Sequence, residues 1–91
     1  MNNIDFQKLW EANKNRRWIK KLINLYNYKN KDSDTINYWI EQYKIKLIND
    51  PLIISSRKTL EIADGNHRLV ALHKIGFDDL VPVRFAMDYE N

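Results

Sequence analysis

The chain has no cysteine among its 91 residues. Disulfide bonds, thiolate metal sites and a cysteine nucleophile are therefore all excluded. A chain without thiols suits the reducing cytoplasm, and this length allows one domain with a core of modest size. We also find no internal repeat and no low-complexity segment. The sequence therefore predicts one small domain whose chemistry rests on side chains other than thiols.

Long apolar runs are missing as well. No stretch approaches the roughly 20 apolar residues that are needed to cross a bilayer. Residues 1–5 lack a basic segment followed by an apolar one, which is how a secretory signal begins. We therefore expect a soluble, cytoplasmic protein that is not processed and has no membrane partner.

A strong charge of either sign is also absent, because the formal net charge is only +3. A dedicated nucleic-acid coat has a larger basic excess. The distribution is nevertheless uneven, because five cations surround Trp18 in the sequence. They are Lys14, Arg16, Arg17, Lys20 and Lys21. Cations around an aromatic side chain are typical of proteins that follow a nucleic-acid backbone, and equally of a solvated helix face. We interpret the cluster as a solvated face, with nucleic acid or an acidic protein as the alternative partner.

The spacing of apolar residues predicts helices over the first half of the chain. Residues 5–26 have helical spacing, but the apolar sets before and after residues 13–15 are out of phase. We therefore expect a break there and a second helix capped by Asn15. A polar connection over residues 27–34 follows, in which Asp32, Ser33 and Asp34 offer caps for the next helix. That helix has the clearest apolar face, and Asn49-Asp50-Pro51 ends it. The residues of the face are Ile36, Trp39, Ile40, Tyr43 and Leu47.

Short apolar segments predict three strands in the second half. Residues 52–54 and 60–62 are joined by the polar residues 55–58, which suits a hairpin. Residues 81–85 form the third strand, and Pro82 within it favours an edge position or the start of a strand. Three or four helices on a small sheet predict an α+β fold. We expect the three tryptophans to lie in the core and to fasten the N-terminal helices to the sheet. They are Trp10, Trp18 and Trp39.

The strongest functional signal is the pentad Asp64-Gly65-Asn66-His67-Arg68, which lies between a strand pattern and a helix pattern. Backbone N–H groups at the start of a helix are unpaired and lie at the positive end of its macrodipole. Arg68 adds a guanidinium that matches a phosphate bidentately, and Gly65 would let a ligand approach the main chain. The pentad therefore predicts a turn that binds a phosphate or a carboxylate.

The same residues carry a resemblance to a known family. The segment Gly65-Asn66-His67-Arg68-Leu69-Val70-Ala71 resembles the Gly-x-x-Arg-x-x-Ala box of the ParB/sulfiredoxin-like superfamily. Asp64 in front of it makes it similar to the Asp-Gly-x-His-Arg variant of small ParB-like domains. Pro51-Leu52-Ile53-Ile54 resembles the family's "Pro-Ile-x-Val" strand, and Gly76-Phe77 with Val81-Pro82-Val83 resembles its closing "Gly-x-x-x-x-Val-Pro-Val" segment. The four features agree in order and spacing over about residues 34–88.

The resemblance implies a small mixed sheet with packed helices over residues 34–91, preceded by an N-terminal helical extension over residues 1–33. It also implies a domain that binds nucleotide or phosphate, since relatives include CTP-binding partition proteins, ATP-using sulfiredoxins and amino-acid kinases. Phosphoryl transfer and hydrolysis of a nucleoside triphosphate are the reactions that it suggests. Whether this chain is an enzyme stays open, because the fold alone does not select a reaction.

Residue roles follow from the resemblance. Asp64 and His67 would be catalytic, Asp64 as a general base or as a contact to Mg²⁺ that enters with ATP or CTP. The phosphate-binding set would be Gly65, Asn66, His67 and Arg68, with Ser55 of the hairpin loop on the far side of the pocket. An intrinsic metal site is not expected. His67 and His73 lie six positions apart and so miss the spacing of two ligands on one helix face.

The pentad also has structural alternatives. Arg68 would instead form a salt bridge with Asp64, Asp78 or Asp79, and His67 would make a second capping contact. Asp64 would cap the turn and the following helix. Asn66 occupies the box position at which sulfiredoxins carry their reactive cysteine, and an amide cannot act as that nucleophile. Sulfiredoxin activity is therefore rejected.

Two other functions remain as alternatives. One is a non-catalytic module that binds another macromolecule, such as a phage or mobile-element inhibitor of a host system, because the chain is small and rich in Asn and Lys. The other is a ParB-like nuclease, which would need a carboxylate cluster for a metal ion. Asp64 would supply one ligand of that cluster, with Glu61, Asp78 or Asp79 brought near by folding.

Overall fold

The computed structural model describes residues 2–46 and 49–87. Within these ranges the chain forms four helices and a mixed sheet of four strands, so the α+β prediction is confirmed. The elements in chain order are β1 (Asn2–Asp5), α1 (Phe6–Asn13), α2 (Arg17–Leu25), α3 (Lys31–Ile45), β2 (Leu52–Ile54), β3 (Ile62–Asp64), α4 (Asn66–Lys74) and β4 (Leu80–Phe85).

The predicted break in the first helical region separates α1 from α2. Asp5 caps α1 by accepting a hydrogen bond from the Lys8 backbone N–H. The predicted cap of α2 is wrong, because Arg16 is the N-cap and no side chain bonds to the first turn. Asn13 ends α1 and is fully buried. Its side chain bonds to the β2–β3 hairpin, so the chain turns at Asn13 and leaves Asn15 exposed.

The start of α3 lies a few residues before the predicted caps. Asn30 is the N-cap, and it forms a reciprocal capping box with Ser33. Asp32 and Asp34 therefore lie inside the first turn, where their negative charges interact favourably with the positive end of the helix dipole. The apolar face is buried as predicted at three of its positions, Ile36, Ile40 and Tyr43. Leu47 lies outside the described residues.

The sheet has the strand order β1-β4-β2-β3. β1 is antiparallel to β4, β4 is parallel to β2, and β2 is antiparallel to β3. The N-terminal strand was not predicted, so the first 33 residues are not purely helical. The prediction that Pro82 marks an edge or a strand start is wrong, because β4 is an inner strand. Pro82 has no backbone N–H to donate to a neighbouring strand. It is tolerated because β2 pairs with β4 only from Val83 onward.

The second strand of the hairpin begins two residues later than predicted. Leu60 has a φ of 59°, in the left-handed region, so it cannot continue a strand. β3 therefore starts at Ile62, and Asn13 bonds both to the Leu60 carbonyl oxygen and to the Ile62 N–H. β3 consequently ends at Asp64, directly before the turn that leads into α4.

A single hydrophobic cluster joins the N-terminal helices, the sheet and α4. α3 packs on α4, and α2 contacts both helices. Trp10 is buried in the cluster and Trp39 is half-buried at its margin. The expected core position of Trp18 is wrong, because 38% of this residue is exposed. Among the described residues, no helix is both long enough and apolar enough to cross a membrane.

Candidate functional site

The pentad lies where β3 passes through Gly65 into α4. Facing it are Trp39 of α3 and Pro51, the residue before β2. Together they enclose a cavity of about 350 Å³, which is within the range of small-molecule sites, roughly 300–1,000 Å³. The lining residues are Trp39, Pro51, Asp64, Gly65, Asn66, His67 and Arg68. All five residues of the pentad thus line one concave surface.

Gly65 is the N-cap of α4 and has φ 112°, a conformation that residues with a side chain rarely adopt. A Cβ built on Gly65 would lie 2.6 Å from Leu52 Cδ2, and Leu52 is fully buried. Backbone conformation and packing on Leu52 therefore require glycine here, rather than the approach of a ligand. Among residues 2–46 and 49–87 no side chain caps α4, so its first backbone N–H groups remain available at the cavity.

Arg68 is held by neutral groups. Its Nε donates to the Tyr43 hydroxyl at 3.0 Å, and its Nη2 donates to the Asp50 carbonyl oxygen at 2.6 Å. The guanidinium carbon lies 5.2 Å from the centroid of the Trp39 ring, a cation–π distance. Burial raises the pKa of the Tyr43 hydroxyl, while the neighbouring Arg68 charge opposes that rise.

The salt bridge that was the structural alternative for Arg68 is not formed, since no carboxylate of the described residues pairs with it. Two of its five N–H groups are used in the bonds above, which leaves donors for another acceptor. Arg68 therefore keeps donors for a further acceptor at the cavity, in a fixed orientation. The Asp64 carboxylate lines the same cavity, and the Asp50 charge acts on Tyr43, so the local charge is partly balanced.

His67 is paired with a carboxylate from another helix. Its Nε2 lies 2.9 Å from Oδ1 of Asp32 in the first turn of α3, and the two side chains are 28% and 25% exposed. The capping contact predicted as its alternative is not formed. The bond to Asp32 favours a proton on Nε2, so Nδ1 would be the acceptor in the neutral ring. A histidine oriented by a carboxylate is the usual arrangement of a general base.

Asp64 and Asn66 supply oxygen atoms that have no partner in the described part of the chain. The Asn66 Oδ1 atom is buried and accepts no hydrogen bond from the described residues. Such an atom costs free energy and usually has a ligand, an ion or water beside it. The Asp64 side chain is exposed. The prediction that Asp64 caps the helix is wrong, because Gly65 is the N-cap and the helix has no side-chain cap.

The Asp64 carboxylate and the Asn66 amide oxygen are oxygen donors of the chemical type that Mg²⁺ accepts. Mg²⁺ that arrives with a nucleotide takes one or two protein oxygens together with phosphate oxygens and water. Asp64 and Asn66 are adjacent to the first turn of α4 and offer that kind of donor. Residues 2–46 and 49–87 contain no group of three or more His, Asp or Glu side chains that would hold a resident metal ion. The same finding gives no support to the carboxylate cluster that a nuclease would need.

Ser55 is not brought to this cavity. β2 and β3 are antiparallel, so the loop that follows Ile54 lies at the end of the hairpin opposite to Asp64. The Ser55 backbone pairs with Glu61 and with Met87 at that end. Ser55 is absent from the residues that line the cavity.

The five predicted cations do not form one site. Lys14 pairs with Glu11 at 2.9 Å. Arg16 pairs with Glu61 at 3.3 Å and also donates to the Ile62 carbonyl oxygen, so it ties the start of α2 to the hairpin. The other three, Arg17, Lys20 and Lys21, are exposed on α2.

Five residues of the site were not predicted as such. Trp39 and Tyr43 were assigned to the apolar face of α3, Asp32 was assigned to a cap, and Asp50 and Pro51 were assigned to the end of that helix. The capping motif at the start of α3 indicates only that Asp32 is an acidic residue in the first turn, and it does not indicate a contact with the pentad. No pattern in the sequence indicates that α3 lies across from the pentad, because that contact is made in the tertiary structure.

Comparisons with protein-family models, with curated proteins and with solved structures gave no match. The ParB/sulfiredoxin-like resemblance therefore rests on the box at residues 64–71 and on the segments around it.

Proposed function

We propose that this chain binds a nucleoside phosphate in the cavity at the start of α4, with the phosphates on the first-turn N–H groups and Arg68. The observation that carries the proposal is the Arg68 guanidinium, which faces the cavity without a carboxylate partner among the described residues. The uncapped helix start adds partial positive charge at the same point. Both features favour an anion.

An aromatic wall supports a nucleotide over free phosphate. Trp39 lines this cavity and also a second, wider one of about 930 Å³ that includes Tyr38. The Tyr38 and Trp39 rings are edge to face, with centroids 5.1 Å apart. A base attached to phosphates at α4 would therefore meet an aromatic surface on α3.

Asp64 and His67 are the residues that we propose for proton or phosphoryl transfer. Asp64 would contact Mg²⁺ bound to the phosphates of ATP or CTP, and that ion would neutralise phosphate charge. His67, oriented by Asp32, would hold or accept a proton through Nδ1. Measuring phosphate release from either nucleotide separates catalysis from binding alone.

We also propose that the chain is a cytoplasmic member of the ParB/sulfiredoxin-like superfamily. The position of the box between β3 and α4 supports this proposal, and the lack of cysteine supports the location.

Isothermal titration with ATP and CTP, each with Mg²⁺, and with inorganic phosphate tests the binding proposal. We expect binding of at least one nucleotide and a loss in the Arg68→Ala variant. Hydrogen bonds to charged groups contribute about 1.5–3 kcal/mol, so affinity should fall roughly 10- to 150-fold. Arg84→Ala is the matched control, because Arg84 is exposed on β4 and does not line the cavity.

No heat with any of the three ligands, or equal affinities of the Arg68→Ala and Arg84→Ala variants, would contradict the proposal. Circular dichroism of both variants checks that the loss of the Arg68 contacts to Tyr43 and Asp50 leaves the fold intact.

A non-catalytic interaction module is the second candidate function. Tyr28 and Tyr38 are 64% and 56% exposed, which is unusual for large side chains on so small a domain. Failure to bind nucleotides, together with capture of one partner that a Tyr38→Ala substitution abolishes, would favour this candidate.

A further inference from the structure

The first turn of α2 breaks the usual charge pattern of a helix. Its N-cap is Arg16 and its first residue is Arg17, followed by Lys20 and Lys21, and no acidic residue occurs in Arg17–Leu25. Cations near a helix N-terminus add to the positive end of the macrodipole and are unfavourable there. Local rules of this kind are usually broken where function requires it. The arrangement concentrates positive potential on one exposed face.

Three of these cations form no ion pair with the described residues. Arg16 is paired with Glu61, but Arg17 and Lys20 have no ion pair with any described residue. The Lys21 Nζ atom lies 5.7 Å from the centroid of the Trp18 ring and likewise contacts no carboxylate there. This face of α2 can therefore accept an anionic partner without breaking an internal salt bridge.

Trp18 provides a planar surface among these charges. It is 38% exposed, and with Arg16, Arg17 and Lys21 it lines a groove of about 550 Å³. An indole exposed to water is less favourable in free energy than a buried one. Most tryptophans are therefore largely buried. An indole bordered by cations offers stacking to a base and charge to the phosphates on either side of it.

We infer that the N-terminal half of α2 binds single-stranded nucleic acid, with a base stacked on Trp18 and backbone phosphates on Arg17, Lys20 and Lys21. A single strand is favoured because its bases are free to leave the stack and lie on the indole. An acidic protein would also satisfy the cations, but a single strand offers a planar base beside every phosphate. This inference does not depend on nucleotide binding at α4.

The groove nevertheless lies beside the candidate site. The Trp18 ring is edge to face with the His67 ring, with centroids 6.4 Å apart. A strand held on α2 would therefore pass close to the start of α4.

Fluorescence anisotropy with a labelled 12-nucleotide single strand, as DNA and as RNA, tests the inference. We expect binding whose logarithmic salt slope is about −2, because three cations each release about 0.7 counterions from a single strand. Trp18→Ala should weaken binding roughly 5- to 150-fold, the range found for loss of one base–aromatic stack. Trp18→Phe should restore much of that loss. Intrinsic fluorescence should be quenched by the strand in the wild type and much less in Trp18→Phe.

Charge reversal supplies the matched control. The double variant Arg17→Glu/Lys21→Glu should abolish binding. The double variant Lys8→Glu/Lys58→Glu changes the net charge by the same amount on exposed residues outside α2, and it should weaken binding only slightly. Titration of the Arg17→Glu/Lys21→Glu variant with ATP and Mg²⁺ keeps this result separate from the α4 site, since nucleotide binding there should persist.

Three results would overturn the inference. They are no binding at 50 mM salt, equal loss in the two charge-reversal variants, and an undiminished affinity of Trp18→Ala for the strand. Binding of poly-glutamate as tight as that of the oligonucleotide would assign the face to an acidic protein instead.

Discussion

Asn13 is the residue on which the junction of the helices and the hairpin depends. Its Nδ2 donates to the carbonyl oxygens of Leu9 and Leu60, and its Oδ1 accepts from the Ile62 N–H and from Arg16. All of its hydrogen-bonding capacity is thus used at a fully buried position. The bonds fix Leu60 in its left-handed conformation and set the start of β3.

Asn13→Asp should therefore destabilise the protein. The substitution replaces the amide donor with an oxygen that faces two carbonyl oxygens, and each buried group left unpaired costs about 1–3 kcal/mol. Urea unfolding measures the free energy of unfolding. Asn15→Asp is the control, because Asn15 is exposed, and surface changes of this kind usually stay within about 0.5 kcal/mol. Similar losses at the two positions would mean that the buried network is not formed.

His73, an exposed residue of α4, is expected to give stability a small dependence on pH. Its ring stacks on Trp10 with centroids 3.9 Å apart. Desolvation lowers the pKa of His73, and the neighbouring Lys74 lowers it further. The unfolded chain, with a histidine pKa of about 6.5, therefore binds a proton at a higher pH than the folded chain does.

Acidification below about pH 6.5 should consequently reduce the free energy of unfolding. The stability that neutral His73 contributes is fully present above the pKa of histidine in the unfolded chain. It is lost as the pH falls toward the lower pKa of His73 in the folded chain. Urea unfolding at several pH values between 5 and 8 measures it in the wild type and in His73→Asn, which cannot titrate. The wild type should lose stability relative to the variant as the pH falls, and parallel curves would refute the assignment.

The turn between β3 and α4 is the element that builds the candidate site. Gly65→Ala should destabilise it for two reasons, since a left-handed residue with a side chain costs about 1–2 kcal/mol and the new Cβ would clash with Leu52. Gly76→Ala is the matched control, because Gly76 has φ 72° but no atom within 4 Å of an added Cβ. Thermal unfolding should show a larger decrease in Tm for Gly65→Ala. Equal decreases would mean that backbone strain alone matters and that Leu52 yields.

Most helices were predictable because their signals are local. The break near Asn13 and the apolar face of α3 follow from residue spacing, and both occur in the structure. β1 was missed because Ile4 is the only apolar residue in its four positions. The strand is also stabilised by pairing with β4, which is distant in the sequence. The start of β3 was misplaced because the conformation of Leu60 is fixed by Asn13, 47 positions away.

The candidate site was predictable only in its contiguous part. The pentad was recognised because a strand pattern, a glycine and a helix pattern follow one another. The partners of Arg68 and His67 lie on α3 and before β2, so no spacing rule connects them to the pentad. Ser55 was assigned to the pocket because a hairpin loop was expected to reach it, but the loop lies at the opposite end of the antiparallel pair.

The whole molecule has two neighbouring places where a cation and an aromatic ring border a cavity, despite a net charge of only +3. One is the cavity at α4, where Arg68 has no carboxylate partner among the described residues, and the other is the exposed face of α2. Trp18 and His67 meet between them. Carboxylates pair with Lys14, Arg16 and Lys44. Lys8, Lys58 and Arg84 are also exposed without an ion pair among the described residues, so the aromatic rings rather than unpaired charge distinguish these two places.

The proposed function requires that phosphates bind to the uncapped start of α4. Amide chemical shifts during titration with ATP and Mg²⁺ test this binding, because they report on individual backbone N–H groups. The largest changes should occur at Asn66, His67 and Arg68, and the hairpin loop around residues 55–58 should be unaffected. Largest changes in that loop, or none at the start of α4 at saturating nucleotide, would contradict the claim.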